Sequence, residues 1–117
     1  MFRICEPRVA GLAQEVFIVL GMDIRNGLLD VVEIARGTVH SVEVHPREVF
    51  RPLIRMAAAA AVVVHNHPSG DPTPSRDDVA VTLDIIKAAK PLGVIVHDHL
   101  IIGRGRHASL RDLGLLG

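Results

Sequence analysis

The first long apolar run is EVFIVLG, Glu15 to Gly21, a β-branched and aromatic stretch that predicts a strand. Asn26-Gly27 follows, a dipeptide suited to the positive φ of a hairpin turn, and LLDVVEI from Leu28 to Ile34 predicts the partner strand. After Gly37 the run TVHSVEV alternates apolar and polar at period two, the pattern of a third strand with one wet face. The three strands predict an antiparallel meander.

The period then changes. His45-Pro46 opens REVFRPLIRMAAAA, whose apolar positions Val49, Leu53, Ile54 and Met56 fall at helical spacing. The alanines are expected to continue this helix before VVV forms a short buried strand, and Pro52 is expected to kink it near Glu48. A second helix is predicted from Ser75, with a stripe through Val79, Leu83, Ile86 and Ala89 or Lys90, stopped by Pro91 and Gly93. Val94 to about Ile102 reads as a strand, Gly103 to Arg106 as a turn, and HASLRDLGLL as a short last strand with a tail. The predicted order is β-β-β-α-β-α-β-β, an α/β (α+β) chain with a mixed sheet against helices.

Composition narrows the classes. A chain of 117 residues is expected to form one domain over 1–117, and 49% hydrophobic residues suffice for a core. Lys and Arg number 13 against 13 Asp and Glu, so bulk charge does not drive nucleic-acid binding. Met56 to Val64 is too short to span a bilayer, and no signal segment opens the chain, so no membrane partner is expected. The single cysteine, Cys5, excludes an internal disulfide and points to a cytoplasmic location. Seven histidines, four of them in the pairs His65/His67 and His97/His99, mark where chemistry is to be sought.

In VVVHNHPSGDPTPSRDD, His65 and His67 stand at i and i+2, on one face of an extended chain. Pro68 and Gly70 then force a turn that can return Ser75 and Asp78 to the histidines. His65, His67 and Asp78 would give a zinc ion three nitrogen and oxygen ligands and leave a fourth position open, the arrangement of a catalytic site. A plainer reading is available: Ser75-Arg76-Asp77-Asp78 is also a capping box that starts a helix. The two readings are compatible, since a helix that starts at Ser75 fixes where Asp78 points. His97 and His99 share a face by the same spacing; His97 is expected on an exposed strand face, and His40, His45 and His107 in surface or capping roles.

His-x-His, seven residues, Ser, two residues and Asp make the JAMM signature of MPN-domain metalloproteases, and His65, His67, Ser75 and Asp78 match every spacing. With VHPREVF before it and DHLIIG after it, HNHPSGDPTPSRDD resembles the RadC branch of that family over about Glu15 to Leu116. RadC proteins usually carry a helix-hairpin-helix segment in front of this domain, and these 117 residues do not include one. The resemblance implies a JAB/MPN-like fold, a cytidine-deaminase-like three-layer arrangement with a mixed β-sheet flanked by helices. It implies Zn2+ held by His65, His67 and Asp78 with a bound water, a glutamate on an early strand that activates the water, and Ser75 at the oxyanion. Glu15 is the preferred glutamate because it opens the first core strand, with Glu43 and Glu48 as rivals. Asp98 and His99 match the family's DH pair and are expected to orient a ligand.

The function so implied is hydrolysis of a peptide or isopeptide bond, with an unidentified protein or peptide as substrate. A homodimer and an indirect association with DNA repair are further expectations. The alternative is a DNA-repair-associated binding module without turnover, for which Arg104, Arg106 and Arg111 would offer a small basic patch. Neutral net charge and only three aromatic residues count against it. Zinc deaminases are excluded, since they need H-x-E with P-C-x-x-C and this chain has one cysteine.

Overall fold

The computed structural model describes residues 14–37 and 44–116. Strands β1 (Glu15–Met22) and β2 (Leu28–Gly37) are followed by helix α1 (Pro46–Arg55), strand β3 (Ala60–Asn66), helix α2 (Arg76–Leu92) and strands β4 (Ile95–Ile102) and β5 (His107–Ser109). The mixed α/β architecture is the one the pattern predicts. The third strand expected after Gly37 falls outside the described residues except for Val44, and so do Glu43, His40 and Cys5. None of the described helices is long and apolar enough to cross a membrane.

The sheet runs β2-β1-β3-β4-β5. The β1–β2 hairpin is closed by Asp23, whose carboxylate accepts from the amides of Arg25 and Gly27 at 2.8 Å, while Asn26 takes a positive φ of 63°. Every residue of β1 and of β3 is buried, which explains why both read as unbroken apolar runs: they are central strands covered on both faces. One face gathers Phe17, Val19, Ala61 and Val63 against Val49, Phe50 and Leu53 of α1 and Ile85 and Ala89 of α2. The other face carries Ile18, Leu20, Val62, Val64, Leu100 and Ile102.

Three local expectations are corrected. Helix α1 stops at Arg55, and the alanines do not extend it: Ala57 sits at φ 56° and Ala58 N–H closes back on Leu53 O at 2.9 Å. Ala60 and Ala61 are instead paired with Met22 and Gly21 in the sheet centre, where packing overrides alanine's helix propensity. In α1 the buried stripe is Val49, Phe50 and Leu53, and Ile54 is exposed. In α2 the buried positions are Asp78, Thr82, Ile85 and Ala89, one residue back from the expected stripe, and Leu83 is exposed. The helix is turned so that two polar residues face inward, an orientation that an apolar-periodicity argument discounts.

β3 and β4 are parallel, joined by α2, while β1 is antiparallel to β3. The C-terminal end of β3 therefore meets the N-terminus of α2 and the start of β1 at one edge of the sheet. This is the end of a parallel pair at which α/β proteins hold ligands.

Candidate metal centre

Four side chains converge at that edge: Glu15 from the start of β1, His65 from β3, His67 just past it and Asp78 from the first turn of α2. One ligand atom from each lies within 4.8 Å of all the others, so the group could hold a metal ion. His65 Nε2 stands 3.1 Å from Asp78 Oδ1 and 3.5 Å from Glu15 Oε1, and His67 Nε2 stands 3.0 Å from Asp78 Oδ2. The two Nε2 atoms are 3.1 Å apart.

Each residue is aimed by its local structure. The Pro68–Gly70 turn lets His67 Nδ1–H donate to Asp71 O at 2.9 Å. A carbonyl only accepts, so this bond places the hydrogen of the neutral ring on Nδ1 and turns Nε2 toward the cluster. Ser75 caps α2 in a reciprocal box: its Oγ accepts from Asp78 N at 3.0 Å and Asp78 Oδ2 accepts from Ser75 N at 2.8 Å. The cap and the cluster thus share one carboxylate, Oδ1 toward His65 and Oδ2 toward Ser75 and His67. Phe17 stacks on the His65 ring at 6.0 Å and meets His99 edge-on at 5.6 Å, limiting both imidazoles.

The electrostatics fit a site built for a cation. Burial pushes the Asp78 carboxyl up, but hydrogen bonds from His65 and His67 outweigh it and hold the group well below the usual carboxylate range. The bond that the protonated His67 ring donates through Nε2 to Asp78 is the main reason that His67 is raised above its ordinary value. Burial drives His99 well below the ordinary histidine value, so it is neutral at physiological pH. Glu15 and Asp78 are each only 7% exposed, and two adjacent buried carboxylates are costly without positive charge between them. The donor set is two imidazoles and carboxylates with no thiolate, and its 3.0–3.1 Å spacings approach the roughly 3.3 Å separation of donors around a tetrahedral zinc ion. The cluster opens on a cavity of about 50 Å³ whose walls include Phe17, Val44 and Val81.

The other expected residues are distributed as follows. Glu48 is not part of the cluster and lies 3.5 Å from Arg47 Nε. Asp98 and His99, neighbours in sequence, part company. Asp98 accepts from Ser109 Oγ at 2.5 Å and Arg111 N at 3.0 Å and so ties β4 to β5 and the C-terminal turn. His99 is fully buried with its Nε2 2.5 Å from His65 Nδ1. The shared face expected for His97 and His99 is broken by a register shift: Val96 pairs with Ala61 and Asp98 with Val62, leaving His97 as the extra residue. His97 instead donates through Nε2 to Asn26 Oδ1 at 3.0 Å.

Sequence reasoning missed two polar residues, Asn66 and Thr82. Asn66 is 2% exposed inside an apolar strand, and a buried carboxamide must find partners, which was the available signal. Thr82 lies four residues after Asp78 and hence on the same helix face.

The family model for the RadC-like JAB domain matches residues 1–115 of this chain. The chain is 44% identical over 116 residues to UPF0758 protein STH371 of Symbiobacterium thermophilum, covering 99% of this chain and 50% of that protein. It is 50% identical over 112 residues to a UPF0758 protein of Rhodobacter capsulatus, covering 96% and 52% respectively. A UPF0758 protein of Methanosarcina acetivorans is 40% identical over 116 residues, 99% of this chain and 51% of its own length. The chain spans about half the length of the curated relatives it matches.

Proposed function

The chain belongs to the RadC-like JAB domain family, and on that footing we propose that it is a zinc-dependent hydrolase of peptide or isopeptide bonds. The five-stranded mixed sheet and the described helices are consistent with the JAB/MPN-like fold. The observation that carries the reading is the convergence of Glu15, His65, His67 and Asp78, from three different elements and a loop, on one buried point.

His65, His67 and Asp78 would hold the ion. When bound, zinc supplies a Lewis acid for an amide carbonyl and lowers the pKa of water toward about 7. Glu15 borders the same point, with Oε1 3.5 Å from His65 Nε2, and its carboxylate would take a proton from the attacking water and return it to the departing amine. Ser75 Oγ already accepts from Asp78 N, which leaves its own proton free to be donated to the developing oxyanion. Phe17, Val44 and Val81 give the neighbouring hollow an apolar wall against which substrate chain can rest. The substrate class is a protein or peptide.

Metal analysis of protein purified without chelator tests the first half: about one zinc per chain is expected, and His65→Ala should lose it. Glu15→Gln tests the second half. It should keep its zinc while hydrolysis of a peptide and isopeptide panel falls by about 10²- to 10⁴-fold. Wild-type protein with less than about a tenth of a zinc per chain would sink the metal reading. A fully active Glu15→Gln variant would remove Glu15 from the chemistry.

A further inference from the structure

His67 has its tautomer fixed by a backbone carbonyl, but the partner of His65 Nδ1 is another imidazole, Nε2 of His99. An imidazole nitrogen can donate or accept, so that contact alone does not say which ring carries the proton. The answer lies one residue further out. Thr82 Oγ1 is 2.6 Å from Asp78 O, and a carbonyl accepts only, so the single hydroxyl proton of Thr82 is committed to that bond. Thr82 Oγ1 also meets His99 Nδ1, and with its proton spent it can only accept there. His99 Nδ1 therefore bears hydrogen and, in the neutral ring, His99 Nε2 is an acceptor. His65 Nδ1–H must then be the donor to His99, which leaves Nε2 as the atom facing Glu15, His67 and Asp78, open to give a metal its lone pair in place of any hydrogen it shares with the Asp78 carboxylate.

We propose that Thr82, acting through His99, is a positioning residue that sets the His65 tautomer and so prepares Nε2 for metal. The chain of bonds runs from the Asp78 carbonyl through Thr82 and His99 to His65, and thus joins two of the ligands behind the site. Thr82, His99 and His65 are 0%, 0% and 1% exposed, so no solvent competes for these bonds. The main-chain end of the relay belongs to Asp78, whose carboxylate faces the same cluster. The α2 face that runs through Asp78 and Thr82 is the one turned inward in place of the expected apolar stripe. The metal consequence rests on the zinc reading above; the tautomer does not.

Two measurements separate them. Long-range 15N–1H correlation spectra of chelator-treated, 15N-histidine-labelled protein should show hydrogen on Nδ1 of both His65 and His99. Thr82→Ser, which keeps the hydroxyl, should preserve that pattern, whereas Thr82→Val should let His99 take the Nε2–H form. Competition with a chelating dye should then find zinc bound about 10- to 100-fold more weakly by Thr82→Val and near normally by Thr82→Ser, the loss usual when a ligand's supporting partner is removed. A wild-type His65 with hydrogen on Nε2 and none on Nδ1 overturns the inference, and so does unchanged zinc affinity in Thr82→Val. If the wild type takes up no zinc, the proposed function fails and the metal-free tautomers alone decide the relay.

Discussion

The Asn66 carboxamide accepts from Val16 N at 2.7 Å and donates to Gln14 O at 3.1 Å, so one side chain grips the backbone on both sides of Glu15. The β1–β3 ladder ends at Phe17 opposite His65, and the amide continues it by one more step. Without that step the first residue of β1 would be held by its β2 pairing with Gly37 and by its side-chain contacts. With Glu15 in its proposed role, Asn66→Ala should therefore leave zinc content near that of the wild type and lower the proposed hydrolysis by about 10- to 100-fold, because small misplacements of a reacting group are costly. Burying two backbone groups without their partner should also destabilise the fold by about 1–3 kcal/mol, read from urea midpoints. Full activity in Asn66→Ala would mean that β1 holds Glu15 unaided.

Between β3 and α2, the loop that carries His67 is clamped by the turn after β4. His67 N–H donates to Ile102 O and Arg104 N–H to Gly70 O, both at 2.9 Å. Gly103 lies at the closest approach: a Cβ there would stand 2.3 Å from Gly70 O and 2.8 Å from Pro72 Cδ. Backbone cannot yield as a flexible side chain does, so Gly103→Ala must push the loop off the turn. The expected result is a lowered melting temperature together with weaker zinc binding, as His67 moves with the loop. Gly105→Ala is the control. Its φ of 68° costs about 1–2 kcal/mol for a side chain, yet a Cβ there meets nothing within 4 Å, so stability should fall while zinc affinity stays. Equal metal binding in both variants would show that the clamp does not position His67.

Folding of the metal-free chain is linked to protons at the cluster. Native His99 stays neutral because burial disfavours its charge, whereas the unfolded chain protonates it near 6.5; stability is thus lost as pH falls below that value. Asp78, with its pKa held down, adds stability above about 3.8 that is lost as pH falls through its folded value. His67 works in the opposite direction. Its pKa is raised, chiefly by the Asp78 bond, so its contribution is complete below 6.5 and is lost as pH climbs through the folded value. Urea midpoints of chelator-treated protein should peak near neutrality, with the acid limb steepening by up to about 1.4 kcal/mol per pH unit for one proton. Zinc requires deprotonated ligands, so loading the metal should raise the midpoints and move the peak to higher pH. A metal-free profile that is flat from pH 5 to 9 would contradict this account.

What could be read from residue order alone was local. Unbroken apolar runs identified β1 and β3, Asn26-Gly27 identified the hairpin, and the spacing of His65, His67, Ser75 and Asp78 identified a candidate ligand set and a helix start, because turn chemistry, strand alternation and capping act over a few residues. What lay beyond that reach depended on elements far apart in the chain. Glu15 joined the cluster because β1 runs antiparallel to β3, which sets the start of one beside the end of the other. His99 faces His65 only because one extra residue in β4, His97, shifts the register and turns the following side chains over. α2 buries Asp78 and Thr82 in preference to Leu83 because the hydrogen bonds waiting for them lie on β3 and β4. Periodicity counts apolar faces, and only the assembled sheet supplies polar partners that make it favourable to bury a polar one.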